Sequence, residues 1–90
     1  MDKKCDALAY TTSNQKVVFQ FKYHADKTLK EGISAIEEVA EARRLYDADI
    51  AIAVTNTSFS PKARSKAKEK NVILWNSEYL KGTLGWNERI

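Results

Sequence analysis

Asp6, Gln20 and Lys22 are the residues whose types and spacing carry the clearest chemistry in this chain of 90 residues. A carboxylate and an amide oxygen are hard donors of the kind a divalent cation takes, with water completing the shell. A cation held there polarises a phosphodiester and lowers the pKa of bound water, and an ammonium beside it steadies that water or the charge developing at phosphorus. The three side chains thus point to hydrolysis of nucleic acid. Each also has an ordinary explanation: Asp6 as a strand-end surface residue, Gln20 as a solvated edge residue, Lys22 as its snorkelling neighbour. Spacing alone does not separate the two, because Asp followed by Gln-x-Lys is a short and permissive pattern.

The elements that must position these residues follow from periodicity. Residues 5–11 and 16–23 form two strands around the turn-prone Thr12, Ser13, Asn14 and Gln15, which predicts a β-hairpin. In the second strand Val17, Phe19, Phe21 and Tyr23 share one face, and Val18, Gln20, Lys22 and His24 the other. A three-residue loop would place Asp6 opposite Gln20 and a five-residue loop would place it opposite Lys22; either gathers all three on one patch.

Beyond a charged connector, Ile33, Ile36, Val39, Ala40, Ala42 and Tyr46 build the apolar stripe of a helix over 33–46. Residues 50–54 are a continuous apolar run, the pattern of a strand covered on both faces. After a polar loop, Ser60 is an N-cap and Pro61 takes the first position of a helix over 61–70, with only Ala63 and Ala67 facing inward and Asn71 ending it. Residues 72–75 form a further buried strand, and a short helix over 76–81, capped by Asn76 or Ser77, precedes Gly82. The order is β-β-α-β-α-β-α. A helix linking two apolar strands favours a parallel, right-handed crossover, so the fold class is α/β, with a mixed sheet made of an N-terminal hairpin plus parallel strands, flanked by helices.

Composition excludes several classes. A 43% hydrophobic content with one Pro and three Gly argues against a linker or disordered chain, as does a mean hydropathy of −0.51 against a membrane protein. No apolar run is long enough to span a bilayer and no apolar leader follows Met1, so a cytoplasmic protein without membrane contact is expected. The lone Cys5 and lone His24 supply neither a disulfide nor a zinc set, and a Cys5–His24 nucleophile pair lacks a third, orienting group. The net charge of +3 is local in origin: Lys62, Arg64, Lys66, Lys68 and Lys70 stand against Glu69 alone, a net +4 that leaves the rest of the chain at −1. Such a stripe can hold phosphates, although lysine-rich helices also occur on proteins that bind nothing acidic.

Other residues have competing explanations. His24 could add a base or a phosphate contact, or be a solvated strand-end side chain. Ser58, Phe59 and Ser60 lead into a helix N-terminus whose N–H groups can bind phosphate, or form a plain cap with Phe59 packed on the sheet. Glu37, Glu38 and Glu41 are assigned to a solvated helix face, neutralised by Arg43 and Arg44 within one turn. Trp75 belongs to the core pattern; Trp86, in the tail, is free to pack on a partner subunit.

The run CDALAYTTSNQKVVFQFKYHA, an amphipathic helix and then IAIAVTNTSFSPKARSKAKEKNVILWNSEYL resemble, over nearly the whole chain, the Mrr-like branch of the PD-(D/E)xK nuclease superfamily. In that branch Gln often takes the second acidic position, and FQFK matches the Q-x-K form at Gln20 and Lys22, with Asp6 at the metal-binding Asp. The resemblance implies a restriction-endonuclease-like fold and a metal-dependent DNA endonuclease in which Asp6, Gln20 and the Phe21 backbone carbonyl hold Mg2+ or Mn2+. Lys22 assists the water, while Lys62, Arg64, Lys66, Lys68, Lys70, Ser58, Ser60 and His24 contact DNA.

Two departures qualify it. The family carries an Asp, glycines and an aliphatic residue before the metal Asp, where this chain has Asp2, Lys3, Lys4 and Cys5. Family members also place a helix, often with a Glu, before the first strand. The expectation is therefore a single domain over 1–90, minimal or N-terminally truncated, and a homodimer. A catalytically inactive DNA-binding or assembly module on the same fold is the alternative, and an unrelated α/β binding domain a third.

Overall fold

The computed structural model describes residues 5–85. β1 (Ala7–Tyr10) and β2 (Lys16–Lys22) pair antiparallel, while β2 pairs in parallel with β4 (Ile50–Thr55) and β4 with β6 (Ile73–Trp75). The sheet is mixed, in the order β1-β2-β4-β6. Its hairpin closes by the shorter alternative: the Thr11 N–H donates to the Gln15 carbonyl at 2.9 Å, enclosing Thr12, Ser13 and Asn14. Asn14 adopts φ 66°, the left-handed geometry that ends a three-residue hairpin loop and that Asn tolerates better than most residues.

The strand order advances in one direction from β2 to β4 to β6, so two crossovers of the same hand deliver their helices to the same face. α1 (Ile33–Leu45) and α2 (Pro61–Lys70) accordingly share a core with the sheet: Ala35, Ile36, Val39 and Ala42 of α1 and Ala63 and Ala67 of α2 meet Val18, Ala51 and Ala53. Alanine on both sides lets the helix backbones lie close to the strands. Ser60 caps α2, its hydroxyl accepting from the Ala63 N–H at 3.1 Å, with Pro61 in the first turn; Asn71 closes it at φ 59°. Asn76, rather than Ser77, caps the short α3 (Ser77–Gly82).

The opposite face carries Val17, Ile52 and Val54 with Phe19, Ile50 and Trp75, covered in part by Leu80 of α3. Phe21, Ile73 and Leu84 remain about half exposed, at 49%, 46% and 52%. Two features go beyond the sequence expectation. β3 (Lys30–Glu31) and β5 (Ser58–Phe59) pair in parallel as a second, two-stranded sheet, within stretches expected to be a connector and a loop. Strands of two residues have no period to read, and the Ser60 N–H to Glu31 carbonyl bond at 2.9 Å that secures them spans distant sequence. β1 also starts later than residue 5, because Asp6 leaves the ladder. No helix among the described residues is long and apolar enough to cross a membrane.

Candidate metal centre

Asp6 sits where β1 departs from β2. Ala7 is the register partner of Phe19, yet the Asp6 N–H also donates to the Phe19 carbonyl at 2.9 Å, so two residues of one strand face one of the other, the pattern of a bulge. The next edge donor on β2, the Phe21 N–H, is met at 2.7 Å by Asp6 Oδ2. This bond anchors the carboxylate. Because N–H and C=O of one residue in an extended strand point to the same edge, the Phe21 carbonyl faces the edge that Asp6 occupies.

Gln20 and Lys22 both project from β2 toward α1. Gln20 Nε2 donates to Glu38 Oε1 at 3.3 Å, while Gln20 Oε1 is buried with no hydrogen-bond partner. Lys22 Nζ lies 2.8 Å from the same Glu38 oxygen. Its ammonium is favoured chiefly by that hydrogen bond; burial opposes this, and the charges of Glu38, Glu31 and Asp6 reinforce it, so the Lys22 pKa rises above 10.5. Asp6, Gln20 and Glu38 line a cleft of about 560 Å3 together with Ser34, Glu37, Glu41 and Cys5.

The hairpin and α1 thus bring Asp6 and Gln20 to one cleft. Phe21 and Lys22, which line a neighbouring pocket, are tied to them by the Phe21 N–H bond to Asp6 and by the Glu38 oxygen that Gln20 and Lys22 share. A buried amide oxygen without a hydrogen-bond donor costs about 1–3 kcal/mol unless something positive satisfies it, and the Asp6 carboxylate and the strand-edge Phe21 carbonyl add further oxygens that only accept. That set of three oxygens suits a hard divalent cation that keeps much of its water shell. Among the described residues, no group of three or more His, Cys, Asp or Glu is placed to hold a metal ion, so any cation here relies on amide and carbonyl oxygens.

The predicted DNA contacts lie apart from the cleft. His24 Nε2 is 2.7 Å from Glu31 Oε1, and its backbone is clamped by Asn56, which accepts from the His24 N–H and donates to its carbonyl, each at 2.8 Å. Cys5 packs against the core, so no Cys5–His24 pair forms. Ser58 lies in β5, and the Ser60 hydroxyl caps α2. The cations of α2 stand on the helix that neighbours α1 rather than on the cleft wall. Arg64 donates to the Phe59 carbonyl at 2.7 Å and Lys66 lies 3.7 Å from Glu69; Lys62, Lys68 and Lys70 form no ion pair with a described residue. Trp86 and residues 2–4 fall outside the described residues.

Glu38, Glu31 and Asn56 are the residues that sequence reasoning missed. The sequence places Glu38 on a solvated face neutralised by Arg43 and Arg44; the residue is exposed, but its partners are Lys22 and Gln20. Arg44 does pair with Glu41, but Arg43 turns away to the Lys70 and Asn71 carbonyls at the end of α2. The available signal was the position of Glu38 between Ala35 and Ala42, at the margin of the buried stripe.

A family model described as a restriction endonuclease, Mrr_cat, matches residues 1–84. The chain belongs to the Mrr_cat restriction endonuclease family. No curated protein gives a significant match. A solved structure described as a protein of unknown function, AF1548, superposes with a TM-score of 0.69 at 17% identity, over 80% of this chain and 40% of that one. The chain therefore spans 40% of that protein's length, and at this identity the likeness concerns the fold, which is restriction-endonuclease-like: a mixed sheet flanked by helices. Membership in Mrr_cat places the chain in a family of restriction-type nuclease domains, a class that generally depends on divalent metal.

Proposed function

We propose that this Mrr_cat domain is a metal-dependent DNA endonuclease of the Mrr-like restriction type, acting as one cytoplasmic domain over residues 1–90. The observation that carries the proposal is the buried, unpartnered Oε1 of Gln20, a residue that lines one cleft with the anchored Asp6. Asp6, Gln20 and the Phe21 carbonyl would hold Mg2+ or Mn2+. The cation supplies Lewis-acid polarisation of a phosphodiester and a more acidic water.

The chain's own residues supply orientation and charge. Asp6 is fixed by the Phe21 N–H, so it enters the site with one geometry. Lys22, kept cationic beside Glu38, acts as a hydrogen-bond and charge donor toward the water or the developing phosphorane, and not as the base. Lys62, Arg64, Lys66, Lys68 and Lys70, with Ser58, Ser60 and His24, would contact the DNA backbone outside the cleft. A second copy completing a homodimer is supported by the half-exposed apolar Phe21, Ile73 and Leu84; monomers by light scattering at micromolar concentration would count against it.

Supercoiled, branched and methylated DNA incubated with the protein and Mg2+ or Mn2+ tests the activity. Cleavage that falls to background in Lys22→Ala is expected; equal background in both proteins removes the nuclease assignment. The second reading, a DNA-binding or assembly module without catalysis, is favoured by the acids of the described residues, no three of which are placed to hold a metal ion together. Salt-dependent binding that persists without cleavage would select it.

A further inference from the structure

An amide in a metal-ligand position has a difficulty that a carboxylate lacks. Its two ends have nearly the same shape, but only the oxygen serves a cation, while the NH2 end repels one. Gln20 must therefore be held in one of two orientations before any ligand arrives. Glu38 is suited to that task because an ionised carboxylate only accepts hydrogen bonds. The NH2 end of Gln20 faces Glu38 Oε1 at 3.3 Å, and the reverse orientation would set two oxygens against each other. The consequence is the buried Oε1 with no donor of its own.

The same Glu38 oxygen lies 2.8 Å from Lys22 Nζ. One atom on α1 thus ties together the two ends of the Gln-x-Lys strand segment. Its helix is docked on the sheet through Ala35, Val39 and Ala42, which are fully buried. Glu37 lines the same cleft without a hydrogen bond to Gln20 or an ion pair to Lys22, and Glu41, also in its wall, pairs with Arg44.

We propose that Glu38 is a positioning residue, which selects the Gln20 amide orientation that leaves Oε1 without a hydrogen bond of its own and so available to a cation, and holds Lys22 in step with it. The proposal rests on the metal site described above and deepens it: a Gln in the motif needs an acceptor on α1, whereas a Glu there would need none, because its two oxygens are equivalent.

A double-mutant cycle read by Mn2+ titration tests this, using the wild type, Glu38→Ala, Gln20→Glu and the double variant. Glu38→Ala alone is expected to weaken Mn2+ binding about tenfold, the lower end for partners that orient a ligand, since the Glu38 side chain is 48% exposed. In the Gln20→Glu background the same substitution should cost nothing. Glu37→Ala, which removes an equal charge from the cleft wall, should have less than a threefold effect. The side-chain NH2 resonances of Gln20, measured without metal, should move to the position of a solvated amide in Glu38→Ala and stay in place in Glu37→Ala.

An equal loss in both backgrounds would overturn the proposal and make Glu38 a ligand or a diffuse charge. No loss in either background, with the Gln20 resonances unmoved, would overturn it as well. A wild type that binds no Mn2+ would instead remove the metal site, and the positioning role with it; Mn2+ binding indifferent to Glu38 removes the positioning role alone.

Discussion

At the scale of single residues, the site depends on which partner each polar atom finds. Lys22 is the clearest case. Its folded pKa is raised above 10.5, first by the Glu38 hydrogen bond, so its share of stability is complete below that value and is lost as pH climbs through the higher folded value. The Lys22 side-chain resonances should therefore titrate above 10.5 in the wild type and at lower pH in Glu38→Ala. A cleavage profile that falls from Lys22 deprotonation near neutrality would contradict this. His24 depends on the reverse relation, since Glu31 is only 7% exposed and takes its hydrogen bond. His24→Ala strands that carboxylate and should lower stability by about 1–3 kcal/mol in urea unfolding, whereas adding Glu31→Leu should recover part of the loss. A neutral effect of His24→Ala would free the imidazole for a direct DNA role.

At the scale of elements, the hairpin and the two crossover helices divide the work. The hairpin brings Asp6 to β2, and α1 brings Glu38 over it, while α2 holds the cations. The N-terminus of α2 has one residue in two proposed roles: Ser60 caps the helix and is a candidate phosphate contact. Ser60→Ala should cost about 1 kcal/mol of stability from the lost cap. Ser60→Asp keeps a capping oxygen, so its stability should stay near the wild type, and its DNA affinity should fall only if phosphate approaches this end. Unchanged affinity in Ser60→Asp would leave Ser60 as a cap alone. The alanine face of α2 explains why the helix needs so good a cap, since Ala63 and Ala67 are its only buried residues.

At the scale of the whole molecule, the basic stripe and the cleft are separate surfaces joined by α1. DNA that reaches both must cross the helix carrying Glu37 and Glu41, an arrangement that sets affinity apart from chemistry. Replacing Lys62, Lys66 and Lys70 together by Ala should reduce the slope of log affinity against log salt by about 2–3, near one for each phosphate no longer neutralised. Mn2+ affinity should not change. A parallel loss of metal binding would mean that the stripe and the cleft are coupled, contrary to this geometry. The half-exposed apolar face lies on the side of the sheet away from both helices, so self-association there would leave α1 and α2 open.

The sequence by itself determined the features that local period and propensity set. Alternation placed Gln20 and Lys22 on one face of β2; the apolar runs located β4 and β6; Ser60, Pro61 and Asn71 bounded α2 almost to the residue. These features are legible because side-chain periods of 2 and 3.6 and the cap preferences are properties of a few neighbouring residues. The tertiary structure decided the rest. Both hairpin loops were open until the left-handed Asn14 closed the shorter one, and the bulge that turns Asp6 onto the Phe21 N–H has no sequence period. The pairing of β3 with β5, the capture of Glu31 by His24 and the place of Glu38 over the Gln-x-Lys segment join residues 7–28 positions apart. Such meetings depend on how α1 is rotated and docked by Ala35, Ile36 and Val39, which no local pattern encodes. For that reason the strand residues of the site could be named from sequence, and the helix residue that orients them could not.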